Sequence, residues 1–244
     1  ILSYLYINVM NGKFIVFEGI DNSGKTTVSR AICEWLKEEY GIETTMTHHP
    51  GSTPIGQEIR GILKHSPHPI NANAQALLFA ADNSIFMNQV LEPNIKEGKW
   101  VIGDRNNFVS SLAYQIASGC SFDELDAVHQ ATKQTRKIDM LLVFRCDYEE
   151  SQRRRALKGE EAPDRYEDAG REYFDKLSNC YNSLLETQHE RLKKFVEKHE
   201  DMSPLCGYQP KAFYVDTMRP LDEVINEVKN LIRTNLQLPS NQEA

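Results

Sequence analysis

The stretch FEGIDNSGKTT, Phe17 to Thr27, decides the fold. Within it Gly19 to Thr26 fit the pattern GxxxxGK(S/T), a glycine loop whose backbone N–H groups wrap a phosphate chain. The residues before it, FIVFE (14–18), read as a buried strand, and those from Lys25 to Tyr40 as a helix. That order matters, because loop amides and the positive end of the helix then face one anion, which an ordinary glycine turn does not provide. On this reading Lys25 reaches the β and γ oxygens of a triphosphate and the Thr26 hydroxyl ligates Mg²⁺. A triphosphate cradle leaves open what receives the phosphate.

Outward from the loop, short β-rich runs alternate with helical patterns, the mark of a parallel sheet covered on both faces. Strands are expected at ETTMT (43–47), WVIGD (ending at Asp104), MLLVF (140–144) and AFYVD (212–216). Helices are expected over 72–91, 109–118, 122–135 and 170–198, and after Pro220 over 221–233. The polar tail, 237–244, reads as frayed. At 244 residues one α/β domain is expected, with no internal repeat.

The net charge of -7 argues against nonspecific binding to nucleic acid, so a nucleotide must meet a local positive site. No apolar run approaches the length of a membrane span. Five cysteines, far apart and never in a CxxC pair, suggest neither a disulfide framework nor a zinc knuckle and point to a reducing, cytoplasmic setting. The first ten residues lack the basic start and cleavage site of a signal peptide. Residues 1–9 read as an extension ahead of Met10.

Two further segments carry chemistry. The run WVIGDR sets Asp104 at the carboxyl end of a buried strand, where open α/β sheets bind ligands, with Arg105 directly after it. An Asp there could also simply cap the next helix. The segment 153–168, RRRALKGEEAPDRYED, is the most charged part of the chain, and its plain reading is a solvated surface loop.

Read in order, EGIDNSGKTT, LLFAADN, GDR, SSLAYQ and DRYE resemble the thymidylate kinase family of nucleoside monophosphate kinases, from about Phe14 to Asn226. The resemblance implies a P-loop kinase fold, a three-layer α/β/α domain with a five-stranded parallel sheet and a mobile lid over 153–168. It implies ATP and Mg²⁺, with Gly19, Asn22, Ser23, Gly24, Lys25, Thr26 and Thr27 on the donor phosphates and Arg154 packing on adenine. Thr26, Glu18, Asp104 and Glu167 are the expected metal-side residues.

On the acceptor side the resemblance places Asp21 on the sugar 3′-OH, Phe79 stacked on the base, and Arg105 on the acceptor phosphate. Ser111 is expected at the pyrimidine edge and Tyr114 against a ribose 2′-OH, with Gln115 beside it and Tyr166 completing DRYE. Asn22 and Ser23 stand where some relatives carry a loop arginine, so the transferring charge is expected to fall to Lys158 and Arg165 of the lid, an arrangement resembling the bacterial one. A homodimer through the 72–91 and 109–118 helices is also implied.

Four departures bear on specificity. The family's AADR arginine is Asn83, and the TREPGG arginine and glutamate are His48 and His49. Between Arg105 and Ser110 stand four residues where the family has three, and 198–211 is inserted before the last strand. The expected reaction is therefore phosphorylation of a deoxynucleoside monophosphate, dTMP first. A modified dUMP or dGMP, a nucleoside acceptor with Glu18 as base, and an inactive nucleotide-binding module are the alternatives.

Overall fold

The computed structural model describes residues 12–132, 138–159, 165–166, 169–183, 185 and 211–239. Five strands, β1 (Phe14–Gly19), β2 (Thr44–His48), β3 (Trp100–Asp104), β4 (Met140–Arg145) and β5 (Lys211–Asp216), form one sheet in the order β2-β3-β1-β4-β5. Every pairing is parallel, and β1 lies in the middle, with Phe17 level with Asp104 on one side and Glu18 level with Val143 on the other. Since all strands run the same way, all their carboxyl ends open on one edge, and the loop after β1 sits at its centre.

The helices are α1 (Lys25–Tyr40), α2 (Pro54–His65), α3 (Ala72–Phe86), α4 (Glu92–Lys96), α5 (Asn107–Ala117), α6 (Phe122–Ala131), α7 (Tyr148–Leu157), α8 (Gly170–Ser183) and α9 (Leu221–Asn235). Period-two alternation along β1 sends Phe14 and Val16 into a core with Phe86, Leu112 and Leu177, and Ile15 and Phe17 into another with Ile32, Leu36, Val228 and Ile232. The sheet is thus a middle layer between α3, α5 and α8 on one face and α1 and α9 on the other. Each large apolar side chain so buried contributes roughly 1.5–3 kcal/mol.

The helices depart from expectation in three places. The helix expected over 72–91 is interrupted: α3 gives way at Phe86 to a π-helical stretch, Met87–Leu91, and α4 begins just before Pro93. Helix α2 was not expected, although Thr53 caps it by accepting from Gly56 N and Pro54 opens its first turn. The charged segment starts as helix α7, with Asp147 capping Glu150 N and Glu149 and Glu150 in the first turn, so 153–157 is helical rather than loop. The expected helices over 122–135 and 170–198 are described as far as Ala131 and Ser183. Residues 1–9, residues 160–164 and 167–168 of the lid with Glu167, the insertion up to 210 and the tail from 240 lie outside the described residues. Among the described residues no helix is long and apolar enough to cross a membrane.

Candidate active site

At the centre of the open edge the loop after β1 turns through left-handed backbone at Gly19 (φ 134°), Asn22 (φ 61°) and Gly24 (φ 95°). Gly19 tolerates no side chain, since a Cβ there would lie 2.3 Å from the carbonyl oxygen of Phe144. The turn starts α1 at Lys25, whose ammonium is folded back onto the loop, donating to Gly19 O (3.1 Å), Ile20 O (2.7 Å) and Ser23 Oγ (3.4 Å). Burial, and then the nearby Arg105, lower its pKa to about 8, against the pull of Asp104, Asp21 and Glu18. An ammonium held by loop oxygens and helped by only distant carboxylates is what an incoming phosphate chain would relieve.

The Thr26 hydroxyl donates to Asp104 Oδ2. These two oxygens are hard donors suited to Mg²⁺, which takes much of its remaining shell from water and phosphate. Among the described residues no group of three or more His, Cys, Asp and Glu side chains could hold a metal unaided.

On the far side of the loop, Arg105 adopts left-handed backbone (φ 74°) and hangs its amide on Phe17 O at 2.9 Å. Its guanidinium lies across the loop, donating to Gly19 O (2.7 Å), to Asp21 Oδ1 (2.7 Å) and to the Tyr181 hydroxyl (3.0 Å). Asp21 Oδ2 accepts from the Tyr114 hydroxyl at 3.0 Å, and the Tyr114 ring lies under the guanidinium, 5.0 Å from its centroid. Burial opposes ionisation of Asp21, but Arg105, then Lys25 and Lys64, outweigh it and hold the carboxyl well below its usual range. Asp21 is therefore a fixed anion between the loop and Arg105.

These groups line one cavity of about 550 Å³. Asn22, Gly24, Thr27, Arg154 and Lys158 stand on the loop side, with Lys158 donating to Asn22 Oδ1 at 2.7 Å. Arg154 is braced by Glu150 (2.6 Å) and Thr217 (3.2 Å). His48, His49, Pro50, Phe79, Tyr114 and Tyr166 stand on the other side. The Tyr166 ring meets Tyr114 edge-on at 5.3 Å, and its hydroxyl donates to Gln75 at 2.8 Å. Burial, then Arg60, lower the pKa of His48.

Other expected site residues lie elsewhere. Glu18 is wholly buried beneath the loop and does not line the cavity; its carboxylate accepts from Asn106 N (2.8 Å), Ser110 Oγ (2.7 Å) and the Tyr181 hydroxyl (2.8 Å). Ser111 faces α6, with its hydroxyl 2.8 Å from His129 Nε2, and Ser110 takes the cavity position one residue earlier. Asn83 is buried off the cavity, 3.4 Å from the Asn106 amide. Gln115 is fully buried, and both polar atoms of its amide lack a partner among the described residues. Arg165 rests on the chain after α2, donating to the carbonyls of Ser66 and His68 at 2.9 Å. Ser23 is buried within the loop, against the Lys25 ammonium.

Five cavity residues were missed, Arg30, Pro50 and Ser110 together with Arg60 and Lys64 of α2, these last two one turn apart. Arg60 donates to Pro50 O at 3.0 Å and so faces the loop after β2. The signal for Arg60 and Lys64 was present in the sequence: the Thr-Pro start of α2 followed by cations at i and i+4 on one face.

A family model described as thymidylate kinase matches residues 17–203 of this chain. Among curated proteins, thymidylate kinase of Prochlorococcus marinus (strain NATL1A) is 33% identical over 239 residues, covering 92% of this chain and 99% of that protein. The thymidylate kinases of Cupriavidus metallidurans (31% identical, 92% of this chain, all of that protein) and Pelotomaculum thermopropionicum (33%, 89% and 96%) are similarly close.

Proposed function

The chain belongs to the thymidylate kinase family of phosphotransferases, and from that premise we propose that it transfers the γ-phosphoryl group of ATP to the 5′-phosphate of dTMP, giving dTDP and ADP. The observation that carries the reading is the convergence on one cavity of Lys25 and Arg105, both donating to Gly19 O, with the loop carboxylate Asp21 held by Arg105. Two phosphate-binding cations at one cavity suit a reaction in which both partners are anions.

The acceptor phosphate, with a second pKa of about 6, is already a nucleophilic dianion, so no general base is needed. That agrees with the position of Glu18, whose carboxylate is turned away from the cavity onto protein donors. The site's work is to align two repelling anions, neutralise the transferring oxygens and exclude water. Lys25 and the loop amides hold the donor, Arg105 the acceptor, and Lys158 and Arg154, which line the cavity, supply the lid-side charge and the adenine contact. Magnesium, held by Thr26 and Asp104, would spread the charge of the β and γ oxygens. Phe79 stacks on the base, and Tyr114 and Tyr166 wall the sugar fixed by Asp21.

His48 and His49, which line the cavity, adjust the base pocket. We further propose a homodimer in the cytoplasm. The dimer would use α2 and α3, which expose Ile55, Ile62 and Leu77, rather than α5, which is buried from Asn107 to Gln115.

The test is a panel of dTMP, dUMP, 5-substituted dUMP, dCMP, dGMP, dAMP and thymidine with ATP and Mg²⁺. Preferred turnover of dTMP is expected, and phosphorylation of thymidine alone would overturn the assignment. Lys25→Ala and Arg105→Ala should each lower turnover by several orders of magnitude in folded protein, consistent with the ~10³–10⁵ carried by a cation in related transfers.

A further inference from the structure

Arg105 and Glu18 carry opposite charges in the same buried space, yet Arg105 Nη1 and Glu18 Oε2 stand 3.6 Å apart, beyond hydrogen-bond contact. The Tyr181 hydroxyl fills the gap, 3.0 Å from Arg105 Nη1 and 2.8 Å from Glu18 Oε2. Its polarity follows from the partners. A guanidinium can only donate and an ionised carboxylate only accept, so the single hydroxyl proton goes to Glu18 and a lone pair receives Arg105. Tyr181 is 2% exposed, and its ring meets Tyr114 edge-on at 6.3 Å, so it is fixed by packing as well.

We propose that Tyr181 is a positioning residue for phosphoryl transfer: its hydroxyl keeps Arg105 from collapsing onto Glu18 and so holds the guanidinium aimed at the acceptor phosphate. The inference rests on the reading of Arg105 as the acceptor-phosphate arginine. Without the hydroxyl the two charges, already 3.6 Å apart, lose the group between them, and the shortest relief is a direct Arg105–Glu18 hydrogen bond. Forming it would draw Nη1 toward Glu18 and turn Nη2 away from Asp21, where it now donates at 2.7 Å. Tyr181 belongs to α8, which follows the cation-rich segment in the chain.

The test is Tyr181→Phe, which keeps the ring and removes the bridge, assayed beside the wild type with separate titrations of dTMP and ATP and with direct calorimetric binding of dTMP. Loss of a hydrogen bond to a charged group corresponds to about ten- to a hundred-fold. The expected result is a rise of that order in the dTMP dissociation constant and KM, with KM for ATP within about two-fold of wild type. Ile232→Val, a core change on the opposite face of the sheet, is the control for stability alone and should leave both KM values unchanged.

Equal effects on dTMP and ATP, or effects matched by Ile232→Val once stability is matched, would show a merely structural role and overturn the inference. So would an unchanged Tyr181→Phe enzyme. If the wild type neither binds nor phosphorylates dTMP, the reading of the site fails and the inference with it.

Discussion

Arg105 shows how much one residue is asked to do. Its backbone is left-handed, a conformation costly for a side-chain-bearing residue, and it persists because the amide is anchored to Phe17 and the guanidinium to Gly19, Asp21 and Tyr181. The Asp-Arg pair after a buried strand was legible in the sequence; the strain and the Tyr181 contact were not, because they depend on α8, which lies 76 residues away along the chain. Gly19 is the complementary case. Its glycine was legible from the motif, but the reason for it lies across the sheet, in the Phe144 carbonyl that a Cβ would strike at 2.3 Å. Gly19→Ala combines that clash with a φ of 134° and should destabilise by roughly 2–4 kcal/mol, a value set by overpacking together with left-handed strain. Urea unfolding measures it, and a midpoint equal to the wild type would refute the account.

At the scale of elements, the strands were read well because buried parallel strands are short continuous apolar runs, and their ends moved by only a residue or so. Helices α2 and α7 were missed for opposite reasons. In α2 the Pro, Gly and His content masked a good start signal, and in α7 a run of charges hid the i to i+3 and i+4 pairing of Glu150 with Arg153 and Arg154. The extra residue between Arg105 and Ser110 is accommodated at the start of α5. Asn106 sits there as the N-cap, its side chain accepting from Phe108 N (3.1 Å) and Val109 N (3.3 Å) while its own amide donates to Glu18. The helix is therefore capped and pinned to β1 by one residue. Asn106→Ala should cost about 1–2 kcal/mol for the lost cap, read as a lower urea midpoint, with reduced turnover because Ser110 and Tyr114 ride on the same helix. A variant as stable as the wild type would show that the cap is idle.

The whole molecule reconciles a chain of net charge -7 with two polyanionic substrates by concentrating charge. Lysine and arginine contribute seven of the residues lining the cavity and aspartate two, so the site is locally positive inside an acidic protein. That concentration comes from sheet order, which brings α1, α2, β3 and α7 to one edge; spacing along the chain could place Arg60 and Lys64 on one helix face but not at the cavity. The same packing gives the molecule an acid weakness away from the cavity. His129 of α6 is buried against Phe108, 4.4 Å between ring centroids, and pairs with Ser111, so it holds α6 to α5 as a neutral ring. Burial lowers its pKa from 6.5 to about 4. The unfolded chain therefore binds a proton at this residue that the folded one refuses throughout the interval between those values. Its contribution to stability is complete above about pH 6.5 and is lost as pH falls toward 4, a change on the order of 3 kcal/mol for that shift. Unfolding free energies measured in urea at pH 7 and pH 4.5 should fall accordingly in the wild type. In His129→Gln, which cannot titrate but can still pair with Ser111, the fall should be smaller by about that amount, and an identical fall in both proteins would assign the acid sensitivity elsewhere.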